Sequence, residues 1–389
     1  MQKYVFHKFF SAVQSTGFEV KYWDGSIERY GEEPSFTLIF NKKVPLKKLL
    51  KQPSMSFCEA YVDGSIDIEG NMDEVIRITN MNNKKIFKSK SFSPPKALSK
   101  HQQKKNVEHH YDLGNDFYSL WLDETMSYSC AYFKSSEDSL EQAQIQKIDH
   151  TLKKLQLQPG ETLLDIGSGW GWLMIRAVQQ YGVKATGITL SEEQYKKTIE
   201  LITELGLQEQ VDVKIMDYRD LAQSGLKFDK IVSVGMFEHA GRDNFPSYMK
   251  SVQSLLNDQG LMLLHTITRP LEETTHPWIA TNIFPGGYIP SLREIIHLLP
   301  EYDFHTIDVE NLRLHYAMTL EHWVHRYSKH LDKVKEMYGE RFIRMWRLYL
   351  LTSASSFRVG GLHLHQILFS KGINNSLNMT RDYIYNSDK

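Results

Sequence analysis

Apolar and polar positions follow two different rhythms along this chain. In the first eighty residues Phe18, Val20 and Tyr22 alternate with polar neighbours, and Phe36, Leu38 and Phe40 do so again. That period of two predicts half-buried strands. Asp24-Gly25 between alternating runs supplies the positive-φ positions of a tight hairpin turn, and Asp63-Gly64 predicts a second hairpin between Ala60/Val62 and Ile66/Ile68. Phe9, Phe10 and Val13 suggest a short amphipathic helix. Residues 1–83 therefore read as a small α+β domain. From about residue 107 the rhythm changes to short apolar runs separated by helical stretches. Strands are predicted at Thr162–Ile166, Lys184–Thr189, Val211–Ile215, Lys230–Val234, Leu261–Thr266, Phe304–Val309 and Leu364–Phe369. Leu320, Trp323, Val324, Tyr327 and Leu331 recur at helical spacing. Strands alternating with helices mean an α/β fold around a mainly parallel sheet.

Composition narrows the class. The chain has 389 residues, of which 41% are hydrophobic and 24% charged, enough apolar material for a full core. A net charge of −1 gives no global reason to expect a nucleic-acid partner. Cys58 and Cys130 are the only cysteines, which excludes a disulfide framework and a cysteine-based zinc site. The first residues show no secretory leader pattern, and no window approaches the ~18 consecutive apolar residues of a membrane span. The expectation is a cytoplasmic protein whose membrane contact, at the inner face, is peripheral. Residues 84–106 form a basic linker with eight lysines and Pro94-Pro95. A solvated spacer would look the same, but Lys42, Lys43, Lys47, Lys48 and Lys51 cluster around Leu46, Leu49 and Leu50 as well. That tips the reading toward an anionic lipid surface, where each lysine contributes on the order of 1 kcal/mol.

The most informative stretch is Thr162-Leu163-Leu164-Asp165-Ile166-Gly167-Ser168-Gly169-Trp170-Gly171-Trp172. A buried strand runs into closely spaced glycines and then a helix, so a ligand can approach the backbone without a Cβ in the way. The spacing is G-x-G-x-G rather than the G-x-G-x-x-G of dinucleotide sites. It resembles the first motif of the S-adenosylmethionine-dependent methyltransferases. The resemblance implies that Asp165, Gly167, Ser168, Gly169 and Gly171 hold the aminoacyl part and ribose of that cofactor. Thr189, Leu190 and Ser191 end the second strand, with Thr189 where many methyltransferases carry a ribose-binding acid and Gln194 as its substitute. Asp217, Tyr218 and Arg219 end the third, where Asp217 could accept from the adenine amino group.

Further motifs narrow the family. His110-Tyr111-Asp112-Leu113-Gly114-Asn115, Leu122 to Phe133, Met236-Phe237-Glu238-His239, Phe284-Pro285-Gly286-Gly287-Tyr288 and His315-Tyr316-Ala317-Met318 stand in order along residues 107–370. Together they resemble the cyclopropane fatty acid synthases, also called cyclopropane-fatty-acyl-phospholipid synthases. The resemblance implies a class I, Rossmann-like methyltransferase: a doubly wound seven-stranded, mostly parallel sheet in residues 107–389, with a helical lid over an acyl pocket. It implies transfer of a methylene group from S-adenosylmethionine to the cis double bond of unsaturated phospholipid acyl chains at the membrane surface. Tyr128 and Ser129 join the cofactor set. The family's bound bicarbonate base implies a cage of Cys130, Glu238, His265, Ile267 (through its backbone) and Tyr316. A homodimer is allowed.

The chemistry asks for a dry slot with aromatic faces to stabilise a carbocation. Tyr132, Phe133, Phe237, Trp278, Phe284, Tyr288, Tyr316 and Trp323 are the supply, about a third of them in the slot and the rest core. Two features depart from the pattern or distract from it. Ser353 stands where some members have cysteine, so a thiol there is not essential. His363-x-His365 suggests a metal, but strand alternation explains the pair and no third ligand has metal-binding spacing. The competing readings are a methyltransferase making methyl-branched chains or acting on a small acceptor, and a non-catalytic lipid-binding protein.

Overall fold

The computed structural model describes residues 2–13, 17–45, 49, 51–86, 99–102, 105 and 113–385, with backbone alone at 80 and 83–86. The chain divides into two compact units, one of residues 1–93, 276–283 and 320–361 and the other of residues 94–275, 284–319 and 362–389.

The first unit opens with helix α1 (Gln2–Ser11), then strands β1 (Gly17–Lys21), β2 (Ile27–Gly31) and β3 (Phe36–Phe40), helix α2 (Pro53–Val62), strand β4 (Ile66–Gly70) and helix α3 (Met72–Ile86). The sheet order is β2-β1-β3-β4. The Asp24-Gly25 turn closes the β1–β2 hairpin as expected, with Phe18 opposite Tyr30. Phe6, Phe10, Phe18, Val20 and Phe40 are buried together.

The second predicted hairpin is wrong in its first arm. Ala60 and Val62 end α2, and Asp63-Gly64 joins a helix to β4. Pro53 opens that helix, and Phe57, Ala60 and Tyr61 stand at the spacing of one helical face; two residues two apart cannot distinguish the periods. Residues 276–283 and 320–361, placed in the catalytic stretch by the sequence, group here with the small sheet. Arg344 shows how: its guanidinium donates to the Tyr61 carbonyl at 2.6 Å, the Ile66 carbonyl at 3.0 Å and Asp67 at 2.6 Å. Of the basic features, Lys42, Lys43 and Lys51 are exposed and Leu49 is buried. Lys47, Lys48 and most of the 84–106 linker lie outside the described residues.

The second unit holds a seven-stranded sheet, order β10-β11-β9-β8-β5-β6-β7. Its strands are β5 (Thr162–Ile166), β6 (Lys184–Thr189), β7 (Val211–Ile215), β8 (Phe228–Val234), β9 (Leu256–Thr268), β10 (Phe304–Asn311) and β11 (His363–Lys371). Strands β5 to β9 run parallel, and β11 lies antiparallel to both β9 and β10. The helices that matter for the site are α4 (Leu140–Leu155), α5 (Trp172–Tyr181), α6 (Glu192–Glu204), α7 (Phe237–Ala240), α8 (Phe245–Leu255) and α9 (Arg313–Ser328). Leu163, Met174, Val213, Val232, Leu263 and Leu368 are buried between sheet and helices, each such side chain stabilising the fold by about 1.5–3 kcal/mol. The chain starts at β5, winds outward to β7, then returns to the other side of β5 at β8. The crevice at the carboxyl ends of β5 and β8 is thus the topological switch point where such sheets bind ligands.

Candidate active site

Two glycines after β5 show why the turn has its composition. Gly169 has φ +55°, and a Cβ there would meet nothing within 4 Å, so its missing side chain leaves open space for a ligand. Gly171 has φ +84°, and a Cβ there would lie 2.5 Å from Thr198 on α6, so it is required by packing. A pocket opens over this turn. It is lined by Tyr128, Ser129, Asp165, Gly167, Ser168, Gly169, Gly171, Thr189, Leu190, Gln194, Asp217 and Tyr218, twelve of the residues the sequence assigns to the cofactor.

Ser191 and Arg219, also assigned there, do not line it. Ser191 caps α6, its hydroxyl accepting from the Gln194 N–H at 3.3 Å. Arg219 clamps Asp217 with two parallel bonds, Nε to Oδ1 at 2.7 Å and Nη2 to Oδ2 at 2.6 Å. Burial pushes the Asp217 carboxyl up, but the Arg219 guanidinium and its own backbone N–H outweigh that and hold it below the ordinary value. Thr189 donates its hydroxyl to Gln194 Oε1 at 2.8 Å, so the pair replacing the ribose acid acts as a unit.

Three buried polar atoms on the pocket wall, Asp165 Oδ1, Ser168 Oγ and the Tyr218 hydroxyl, have no hydrogen-bond partner among the described residues. Buried polar groups are normally satisfied, so these fit a polar ligand such as the aminoacyl and nucleoside parts of S-adenosylmethionine. Burial pushes Asp165 up to about 7, with the Lys147 charge working against it. Lys147, on α4, also lines the pocket and escaped the sequence reading. Its ammonium donates to Ser129 Oγ at 3.2 Å, and burial lowers its pKa against the opposing pull of Asp123, Cys130 and Asp165. The available signal was a lysine on the buried stripe of Ala143, Gln144, Ile148 and Thr151. His239, another missed wall residue, is pushed down to about 4 by burial and is neutral at pH 7.

The five cage residues lie outside that pocket lining and are tied to one another through the ends of β9 and β11. Glu238, on the one-turn helix α7, accepts from the Ile267 N–H through Oε1 at 2.6 Å. Ile267 thus holds the carboxylate, its N–H committed to Glu238. His265 lies two residues back on β9. Leu364 of β11 pairs with Ile267 and accepts from the Leu312 N–H at 2.8 Å. The Leu312 carbonyl in turn lies 3.9 Å from Cys130 Sγ, and the Tyr316 N–H donates to that same carbonyl at 3.1 Å. Burial pushes the Cys130 thiol up, so it is a neutral donor, bonded to the Ala131 carbonyl at 3.2 Å. Two atoms of the set, Glu238 Oε2 and His265 Nε2, are buried without a partner among the described residues.

The aromatic supply divides. Phe237 stacks on Phe245 at 4.1 Å, and Tyr132 is sandwiched between His150 at 4.1 Å and His315 at 4.7 Å. Trp278 and Trp323 fall in the first unit. Phe284 meets His239 edge-on at 5.9 Å, adjoining the pocket wall. His363 and His365 are neighbours on β11, His365 bonding Thr268 at 2.8 Å. Ser353 is half-buried in the helix Glu340–Arg358.

Residues 98–367 match the family described as mycolic acid cyclopropane synthetase. The chain belongs to that family. Residues 5–91 match a domain of unknown function. Among curated proteins, the cyclopropane-fatty-acyl-phospholipid synthase of Escherichia coli strain K12 is 38% identical over 344 residues, 86% of this chain and 88% of that one. A Pseudomonas putida protein named "Probable fatty acid methyltransferase" is 40% identical over 361 residues, 90% of this chain and 91% of that one. A solved mycolic acid cyclopropane synthase, complexed with SAH and CTAB, superposes with a TM-score of 0.65 at 36% identity, covering 71% of this chain and all 100% of that one. This cyclopropane synthetase family member is an S-adenosylmethionine-dependent enzyme with the class I methyltransferase fold. No helix among the described residues is long and apolar enough to cross a membrane.

Proposed function

We propose that the enzyme builds a cyclopropane ring across the cis double bond of unsaturated phospholipid acyl chains, with a bicarbonate ion held at the ends of β9 and β11. The carrying observation is the pair of orphaned atoms there. Glu238 Oε2 is an acceptor and a neutral His265 presents a donor, and an ion with both a hydroxyl and oxyanion oxygens satisfies the two at once. His265 is kept neutral by burial first and then by the charges of Lys147 and Lys154 around it. The Ile267 N–H fixes the Glu238 carboxylate so that its second oxygen can receive the ion's hydroxyl.

S-Adenosylmethionine supplies an electrophilic methyl group, and the bicarbonate supplies a base for the proton lost on ring closure. The chain's own contribution is orientation and dryness. Glu238, His265 and Cys130 are buried, so no bulk water competes for the carbocation. The membrane expectation is part of this proposal: lysines in the 84–106 stretch would draw the enzyme to anionic lipid. Replacing Lys84, Lys85, Lys88 and Lys90 by Gln should weaken vesicle binding in a salt-sensitive way, read by sedimentation with liposomes; unchanged binding makes the stretch a spacer.

The Pseudomonas relative's name favours a second reading, a methyl-branched product. One experiment separates them. The enzyme is incubated with unsaturated phospholipid vesicles and methyl-labelled S-adenosylmethionine, and the fatty acids are analysed by mass spectrometry before and after mild hydrogenation. A labelled product that has gained CH₂ and still resists hydrogenation is the ring, whereas a saturated methyl branch resists it too but carries two more hydrogens. A branched chain, or no lipid label, overturns the proposal.

A further inference from the structure

Gln366 is fully buried on β11, directly opposite His265 on β9. A primary amide in the middle of a sheet is costly unless its polar atoms are used; here Nε2 is used, while Oε1 is buried without a partner among the described residues. Its neighbours determine which way it faces. Thr151 on α4 donates its single hydroxyl proton to the Lys147 carbonyl at 2.8 Å. Thr151 Oγ1 can then only accept from the Gln366 amide 3.2 Å away, so the atom facing it is the nitrogen, Nε2. The same Nε2 lies 3.2 Å from His265 Nδ1. A donor at that distance makes Nδ1 the acceptor. A neutral imidazole carries one proton, which leaves it on Nε2, the ring atom without a partner among the described residues.

We infer that the Lys147 carbonyl, Thr151 and Gln366 form a tautomer lock that holds His265 as an Nε2–H donor toward the bound anion. Gln366 is thus a positioning residue, acting only through the imidazole. The inference rests on the bicarbonate reading for the identity of the anion, but the tautomer itself does not depend on it. Without the lock the two neutral tautomers compete, and the wrong one points a lone pair at an anion.

The test uses the full-length enzyme with ¹⁵N-labelled histidine. Two-bond ¹H–¹⁵N correlation spectra report which ring nitrogen of His265 carries the proton, the resonance being assigned through His265→Asn. The wild type should show Nε2–H. Gln366→Met removes the donor at similar volume and should shift the proton toward Nδ1. Thr151→Val, which perturbs the strand less, should do the same to a smaller extent.

Turnover is then titrated with bicarbonate in decarbonated buffer. Gln366→Met should need about tenfold more bicarbonate for half-maximal rate, the loss of one hydrogen bond, with the KM for S-adenosylmethionine unchanged. Nδ1–H in the wild type would overturn the lock, as would Gln366→Met and Thr151→Val retaining the wild-type tautomer. A shifted tautomer with flat bicarbonate dependence in every variant, Glu238→Ala included, confirms the lock and overturns the bicarbonate base instead.

Discussion

The pocket over β5 and the cluster at the ends of β9 and β11 are built on opposite principles. The pocket is mostly local: a glycine turn, the ends of β5 to β8 and one loop supply most of its wall, with α4, α5 and α7 adding residues such as Lys147, Leu173 and His239, and its orphaned atoms border open space. The cluster is assembled from residues 130, 238, 265–267 and 312–316, joined by backbone and side chain–backbone hydrogen bonds across two strands and a helix start. Open polar space binds a large exchangeable ligand. Buried polar atoms at the junction of four segments suit, under the proposed function, something small in a fixed orientation. The two regions should therefore fail differently when mutated.

The largest effect belongs to the cluster. Glu238→Ala should lower kcat by about 10²–10⁴-fold, the usual worth of positioned proton transfer, while S-adenosylmethionine affinity by calorimetry stays near wild type. Glu238→Gln should be milder, since an amide oxygen can still accept one bond. Full activity in Glu238→Ala would overturn the buried-bicarbonate assignment, leaving His239 and His265 as candidate side-chain bases. The mirror-image variant is Gly169→Val. Its side chain would enter open ligand space, so affinity for S-adenosylmethionine should fall by about ten- to hundredfold or more, while the unfolding transition falls only by the strain of a β-branched residue at φ +55°, about 1–2 kcal/mol. Unchanged affinity would place the cofactor elsewhere.

These same two regions explain what the sequence could and could not reveal. The pocket was legible because its signals are contiguous: Asp165 to Gly171 is one turn, and each further strand end carries its polar residue in the next few positions. Two residues assigned there do not line the pocket because they have internal duties, Ser191 as a helix cap and Arg219 as the partner of Asp217. The cluster's members were named only through family resemblance, since nothing in the spacing of Cys130, Glu238, His265 and Tyr316 brings them together before the sheet order is known. Lys147 and Gln366 were missed for a physical reason. A polar residue on a buried face is indistinguishable from an exposed one until the neighbours that satisfy it are in place. Ala60-Val62 failed for the converse reason, two residues being too few to establish a period.

Acidity offers a finer separation. Burial pushes Glu238 up to about 7, with the Ile267 N–H working against it, and Asp165 titrates at about the same point. Both carboxyls lose their protons as pH rises through 7. If ionised Glu238 is the form that orients the anion, kcat at saturating S-adenosylmethionine should climb about tenfold per pH unit below 7 and level off above it. Glu238→Gln should abolish that limb. Asp165 sits on the pocket wall, so its titration should appear in kcat/KM for S-adenosylmethionine and survive in Glu238→Gln. A single limb that vanishes from both parameters would mean the regions are not separable.

The smallest expected effect lies at the far end of the pocket. Asp217 is partly buried yet held anionic by Arg219. In the wild type its carboxyl stays ionised well below neutral pH, so S-adenosylmethionine affinity should be flat between pH 5.5 and 8 (~2–3 units about neutrality) apart from the Asp165 contribution. Arg219→Gln removes the opposing charge and leaves the desolvation that raises the Asp217 pKa. If Asp217 accepts from the adenine amino group, affinity should drop about two- to tenfold at neutral pH, and further as pH falls, because the neutral acid is the weaker acceptor. Stability follows the same sign. A carboxyl depressed in the folded state stabilises it above the unfolded pKa, and that contribution disappears as pH falls through the folded value. Arg219→Gln should therefore unfold at a lower temperature at pH 7 but converge with the wild type in acid. Calorimetric titration at two pH values in an Asp165→Asn background isolates the binding effect. A pH-independent loss there would mean Arg219 contacts the ligand itself rather than acting through Asp217.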